Sequence, residues 1–510
     1  MKPYILLIIT ILLVSCKTKT KESQETQALE ISSSNQELVN VFNWATKKAL
    51  GFVQTGKSGP INISERNEAP TEASYIPSYW AGYPLRTAFY SRDFCHQIVG
   101  AHLLNLKEEN MSMLKAFAAS ANENKKWYPL WAINFDGSPY QLDYRNDNDF
   151  VREVPAVFEL VEKAYALYQW TGDTRYLKDE VLWNYYSKAV TDFIYLHDNF
   201  MPNKVAEGSG TGSIFKGTAT FNEQRDHPFI EAGDGIACQY KALWAYGKMA
   251  EALENYELSA KFLQQAKDLK TYFNTKWGTE NTNSYNRGYT LDKSPYSGWG
   301  KENSWFMPMK NITISTSEKT QDYLTFIDER LESKDDIPDN IEAISYIPEL
   351  FFQYHHNETG WKWMKYIISK IDQTHAMSNL TGNNGNYPEV SYVLISNVVE
   401  NLLGVQPDAA NNKITTLSHL PLAIEDLEVR NIIIGNSIIN LQHNKKEQSK
   451  LHYKKGKSPL SWEVRFSGTF EHLYIDGKKI ACSQGQEYGQ DFSYISIKLD
   501  PTQEVLVSTR

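Results

Sequence analysis

Arg92 and Asp93 stand directly ahead of an apolar run in which Ile98, Leu103, Leu106, Leu114 and Phe117 recur at helical spacing. In the first turn of such a helix a carboxylate is favoured by the helix dipole and can point into a cavity shared with other helix ends; capping or ion pairing alone would also place it there. The pattern returns along the chain. The stretch Arg145-Asn-Asp-Asn-Asp-Phe-Val-Arg-Glu-Val-Pro155 crowds Asp147, Asp149, Arg152 and Glu153 ahead of Val154, Phe158 and Val161. Capping explains one or two of these charges, and the glycine and regular spacing of an EF-hand calcium loop are missing. Glu223 sits among Phe221, Asn222 and Arg225. Such neighbours can desolvate a carboxyl and raise its pKa toward that of a general acid; the plainer reading is a surface-loop glutamate. Glu389 opens the last apolar helix-period segment after Gly385-Asn-Tyr-Pro388, where complementing the dipole is the plainer reading.

Aromatic loops accompany these carboxylates. Ser78-Tyr-Trp-Ala-Gly-Tyr83 contains Trp80, and Trp127-Tyr-Pro-Leu-Trp131 contains two indoles. Aromatic faces stack on the C–H surfaces of sugars, and carboxylates bind hydroxyls or move protons, so the pairing suits carbohydrate. With 13 Trp and 31 Tyr in the chain, most such rings must belong to the core.

Other chemistries are disfavoured. Cys95, Cys238 and Cys482 form an odd, widely spaced set with neither a disulfide framework nor a Cys-X-X-Cys pair, and no His-Glu-X-X-His pattern occurs, so neither metal nor cofactor is expected. A net charge of −9 without a basic block argues against a nucleic-acid partner.

Helix-period segments that would position the carboxylates cover residues 36–52, 94–120, 154–170, 183–197, 236–256, 258–277, 320–331, 341–355, 361–371 and 390–403. Long loops rich in Gly, Asn, Pro and aromatics join them, which suggests helical hairpins closed into a ring. Near residue 405 the period changes to two. Trp462, Val464 and Phe466 alternate with polar residues, and Leu473 and Ile475 do so before the turn signal Asp476-Gly477. Residues 406–510 therefore read as an antiparallel β-sandwich behind a helical domain at 36–405. At the other end, Lys2 precedes an apolar run too short to span a bilayer, closed by Leu13-Val-Ser-Cys16. Residues 1–16 resemble a lipoprotein signal with Cys16 as the lipidated first residue of the mature chain. Residues 17–35 read as a polar tether. The expected location is the cell envelope, as an outer-membrane lipoprotein whose face is open, held to the membrane by its lipid and monomeric.

Arg92-Asp93 before Gly100-Ala-His-Leu-Leu104, Asp149 and Glu153 before Tyr168-Gln-Trp-Thr-Gly-Asp173, Thr220-Phe-Asn-Glu223 before Gln239-Tyr-Lys-Ala-Leu-Trp244, and Leu403-Gly-Val-Gln-Pro-Asp408 leading into β-structure occur in that order. The order resembles the six-hairpin glycosidases, a group that includes glycogen-debranching glucosidases and α-L-rhamnosidases. The resemblance implies an (α/α)6 toroid followed by a β-sandwich. It implies Glu223 as general acid, Glu389 as general base, and Arg92 with Asp93 as substrate-holding residues. An acid that is Glu where debranching enzymes carry Asp, and the absence of the rhamnosidase Gly-Trp-Thr-Gly signature, depart from the pattern. The resulting expectation is an exo-acting, inverting hydrolase of plant or algal oligosaccharides, with xylosides or rhamnosides as substrates. Asp93, Asp149 and Glu153 would hold sugar hydroxyls, and Trp80, Trp127 and Trp131 would form stacking walls. Two other classes fit parts of the sequence: a polysaccharide lyase recruiting Tyr90, Arg92, His96 and Asn222, and a glycan-binding outer-membrane lipoprotein without turnover.

Overall fold

A computed structural model describes residues 28–64, 71–221, 228–279 and 284–510. Its helices are α1 (Gln36–Gly51), α2 (Ser91–Leu103), α3 (Lys107–Ser120), α4 (Val154–Thr171), α5 (Arg175–Lys178), α6 (Glu180–Ala189), α7 (Asp192–Leu196), α8 (Gly233–Ala252), α9 (Tyr256–Tyr272), α10 (Glu302–Met309), α11 (Glu318–Glu332), α12 (Ile341–Ser345), α13 (Ile347–Gln353), α14 (Asn357–Lys370), α15 (Ser378–Thr381) and α16 (Pro388–Ser396). Contacts close α2, α4, α8, α10, α12–α13 and α16 into an inner ring, each helix touching the next and α16 returning to α2. Outside it, α1 packs on α16, α3 on α2, α6 on α4, α9 on α8, α11 on α10 and α14 on α12–α13. This is the (α/α)6 toroid.

Composition explains the two layers. Outer α9 buries Phe262, Ala266 and Leu269 on one stripe, with lysines, glutamines and two acidic residues on the rest. Inner α16 buries every residue from Pro388 to Ser396, because it is enclosed on all sides. The inner ring is tight enough to require a glycine: a Cβ at Gly100 of α2 would collide with the Tyr392 carbonyl of α16.

The periodicity expected at 94–120 as one helix is two helices, α2 and α3. Asn105 adopts a left-handed φ of 63° and turns the chain between them, while Leu103 and Leu106 stay buried as the spacing required.

C-terminal residues supply six strands of a seven-stranded sheet and all of a five-stranded one. Trp462, Val464 and Phe466 are buried between them, and Asp476-Gly477, both at positive φ, turn the chain between His472–Ile475 and Lys478–Ala481. The pairing is antiparallel except where Lys413–Leu417 runs parallel to Leu460–Ser467. The hydrophobic core is continuous from helices to sandwich.

Part of the segment read as tether is folded. Glu30–Ser33 pairs with Asp426–Ile434 at the edge of the seven-stranded sheet, and Asn35 caps α1 by accepting from the Leu38 amide at 3.0 Å. Leu29 is buried there, and so few apolar residues do not register as a strand in the sequence. Cys16 lies outside the described residues.

Candidate active site

Several inner helices begin at one end of the ring, and a cavity of about 380 Å³ opens there. Arg92 and Asp93 reach it from the first turn of α2, Glu302 from α10 and Glu342 from α12, while Tyr387 lies just ahead of α16. Helix N-termini favour negative charge, which offsets part of the cost of collecting these carboxylates.

Arg92 is the central cation. Burial works against its charge, but Glu153, Tyr346, Glu302 and Asp93 outweigh that effect and hold the guanidinium firmly protonated. Its Nη1 donates to the Phe221 carbonyl at 3.3 Å, and its guanidinium lies 5.4 Å from the centre of the Phe221 ring. Burial raises the Asp93 carboxyl above the usual range, against the opposing effects of Arg92 and of the Tyr387 hydroxyl that donates to Oδ1. Burial likewise raises Glu302 in spite of Arg92. Glu342 is held from two sides: His375 Nε2 lies 3.0 Å from Oε2, and the Tyr83 hydroxyl donates to Oε1 at 3.4 Å. The rings of His375 and Tyr83 both pack on Tyr387.

Glu389 stands behind this wall. It is 1% exposed and is not among the described residues lining the cavity. Oε1 accepts from the Ser345 hydroxyl and lies 2.9 Å from His96 Nδ1. His96 stacks on Tyr346 with 3.6 Å between ring centres and 2° between planes. Burial raises Glu389, with Asp93 adding to the effect, and burial lowers His96, so burial favours the uncharged form of both groups.

The other residues singled out in the sequence divide clearly. Trp131 lines the cavity, and its Nε1 donates to Glu153 Oε2 at 2.9 Å, which places Glu153 directly behind the indole. Trp80 does not line the cavity; its Nε1 donates to the Arg86 carbonyl at 2.9 Å, and its ring packs edge-on against Phe135. Trp127 is a buried core residue beside Lys188, in a left-handed turn formed by Lys126 and Trp127. Asp149 also lies away from the cavity lining, paired with Arg145 at 3.0 Å and Lys216 at 3.3 Å. These cations satisfy its charge locally, whereas Glu153 has the inner helix to carry it to the site. Glu223 and Asn222 fall outside the described residues, while Phe221, two positions before Glu223 in the sequence, lines the cavity.

Glu302, Glu342, Tyr387 and Asp234 were missed. Asp234 is fully buried in the first turn of α8, and its Oδ2 accepts from Thr220 Oγ1 at 2.9 Å and the Phe221 amide at 2.7 Å; burial raises its pKa to about 7. All three carboxylates occupy the first turn of an inner helix, the signal already used for Asp93 and Glu389. α10 is too short for its apolar spacing to mark that turn, whereas Glu342 opens the segment 341–355 already read as helical, where the same rule applied and was not used.

No protein-family model and no curated protein sequence matches the chain. Solved structures do. An α-L-rhamnosidase from Dictyoglumus thermophilum superposes with a TM-score of 0.60 at 16% identity, over 94% of this chain and 50% of that one. A sialidase gives 0.57 at 9% identity, over 94% and 41%. A glycosidase in complex with glucose gives 0.50 at 10% identity, over 72% and 98%. The chain has the six-hairpin glycosidase fold. It spans half or less of the length of the first two structures, and at these identities the likeness concerns the fold. Neighbours with different printed activities share that fold, so function must come from the site.

Proposed function

We propose that this protein is a glycoside hydrolase that removes a terminal uncharged sugar from an oligosaccharide, without a cofactor. The observation that carries the reading is the grouping of Asp93, Glu302 and Glu342 with Arg92, Trp131 and Tyr387 around one cavity, with volume in the range of small-ligand sites. Hydrolysis of a glycosidic bond needs one carboxyl that holds a proton and one that is ionised. A cavity with such an excess of carboxylates disfavours a uronate, which speaks against the lyase reading. In addition, His96 is occupied with Glu389, and the Tyr90 hydroxyl accepts from Arg86 Nη1 at 2.8 Å. A binder would have no need of so many carboxylates desolvated together.

On the sequence pattern Glu223 is the proton donor; among the described residues Glu302 fits the same role, since it lines the cavity and burial favours its protonated form. Glu342, facing the cavity and anchored by His375 and Tyr83, is placed to activate water. Glu389, read from the sequence as the base, then acts through Asp93: with its proton held, it leaves the charge on the carboxylate nearer the sugar. Arg92, Asp93 and Tyr387 hold hydroxyls, and Trp131 supplies a stacking face. We take the reaction to be inverting and exo-acting, on xylosides or rhamnosides. The lipid at Cys16 would hold the enzyme to the outer membrane; no helix among the described residues is long and apolar enough to cross a membrane.

The test compares Glu223→Gln and Glu302→Gln on natural oligosaccharides and on activated aryl glycosides. The proton donor is the residue whose loss abolishes turnover of the poor leaving group while sparing the activated one. Equal loss on both substrates in both variants would remove each from that role.

A further inference from the structure

A second concave surface lies on the outer wall of the ring, between α11, α14 and the segment joining α11 to α12. It is a groove of about 600 Å³ with an apolar floor of Leu331, Ile337 and Trp363, and Tyr366 beside it. Its walls carry Lys334, Lys362, Lys365 and Lys370 against one carboxylate, Glu332. Lys362 is neutralised by Asp328 at 2.6 Å and Glu332 at 2.7 Å. Lys370 Nζ lies 5.1 Å from the centre of the Tyr366 ring and donates to Gln373 Oε1 at 3.1 Å, so it keeps its net charge. Lys334 and Lys365 are exposed and form no ion pair among the described residues. Uncompensated positive charge is thus gathered in one groove of a chain whose net charge is −9.

The groove adjoins the catalytic cavity. Ile337 lines the groove, and the next residues, Pro338, Asp339 and Asn340, line the cavity. The connecting segment is fixed: the Ile337 amide donates to the Ser333 carbonyl at 3.0 Å, the Asp336 carbonyl accepts from Trp299 Nε1 at 2.8 Å, and its carboxylate accepts from Arg330 at 3.2 Å. The two sites differ in charge balance: in the cavity Asp93, Glu302, Asp339 and Glu342 outnumber Arg92 and Lys301, and in the groove the lysines outnumber Glu332.

We propose that this groove binds the anionic part, a sulfate ester or a uronate carboxylate, of a glycan whose uncharged terminal sugar enters the cavity. The proposal rests on the hydrolase reading for the cavity and adds a substrate class to it. Lysine ammonium groups supply point charges for sulfate or carboxylate without demanding one geometry, and the Tyr366 ring offers a face to the intervening sugar. An acidic cavity beside a basic groove would select a polymer with charged body and neutral end, and would orient it.

Binding is measured by calorimetry with the full chain and three probes of equal length: an oligogalacturonate, a sulfated galactan oligosaccharide and a neutral galactan oligosaccharide, each at low and at high salt. At low salt at least one anionic probe should bind about tenfold more tightly than the neutral one, and the advantage should collapse at high salt. Which anionic probe binds identifies the anion. Lys334→Gln combined with Lys365→Gln should weaken anionic binding about tenfold while leaving turnover of a small aryl glycoside unchanged. Equal affinity for neutral and anionic probes, or anionic binding untouched in the double variant, would overturn the proposal. Because binding is read without turnover, lysine-dependent anionic binding in a protein that cleaves no glycoside would retire the hydrolase reading and leave the groove standing.

Discussion

Asp234 offers a direct test of the electrostatics at the foot of the site. Its carboxyl is fully buried and bonded to Thr220 and Phe221, and its pKa rises from 3.8 to about 7 because burial penalises the charge more than these donors favour it. At about 1.4 kcal/mol per pKa unit, a rise of roughly three units corresponds to about 4 kcal/mol. The folded-state pKa lies above the unfolded one. This contribution is therefore fully present below pH 4 and is lost as the pH climbs toward 7. In Asp234→Asn that loss is removed. Unfolding entropy of about 2.1 cal/mol/K per residue gives about 1 kcal/mol/K for a chain of this size, so the gap in Tm between variant and wild type should move by about 4 °C in the variant's favour between pH 4 and 8. Glu231 and Glu400, also raised to about 7, titrate in both proteins and cancel in the difference. The assay is thermal unfolding followed by circular dichroism across that range. A gap that stays constant within about 1 °C would refute the reasoning.

Other consequences are equally specific. Glu302→Gln should lower kcat on unactivated glycosides by about 10²–10⁴-fold if it donates the proton, read by initial rates. Tyr387→Phe removes a donor that favours ionised Asp93, so the acidic limb of the kcat/KM profile should move to higher pH; an unmoved limb would separate Asp93 from the rate. Gly100→Ala forces α2 away from the Tyr392 carbonyl and should cost about 1–3 kcal/mol, seen as a lower Tm and, because α2 carries Arg92 and Asp93, as a raised KM.

The helical ring and the sandwich were legible because each leaves a marked signal: burial stripes at helical spacing in outer α1 and α14, long apolar runs in inner α4 and α8, and alternation around Trp462 and Val464. Strand Glu30–Ser33 was not, because its partner is some 400 residues away in sequence and its apolar content is slight. In the site, Arg92 and Asp93 were found because a long apolar run announces where the first turn of α2 lies, and Trp131 because it belongs to an aromatic loop beside such charges. Glu302 was hidden by the shortness of α10, whereas Glu342 stood in the first turn of the segment 341–355, where the same rule would have found it. Trp80, Trp127 and Asp149 show the converse: aromatic or charged residues near a site are readily absorbed by core packing or by a local cation, and sequence spacing does not distinguish the two fates.

On the proposed function, the cavity hydrolyses a terminal glycosidic bond. Proton NMR of the purified chain with a panel of plant and algal oligosaccharides tests it most directly. The expected result is a released free monosaccharide whose first-formed anomer has the configuration opposite to that of the bond cleaved. An unsaturated product, or broadened ligand signals with no sugar released, would contradict it.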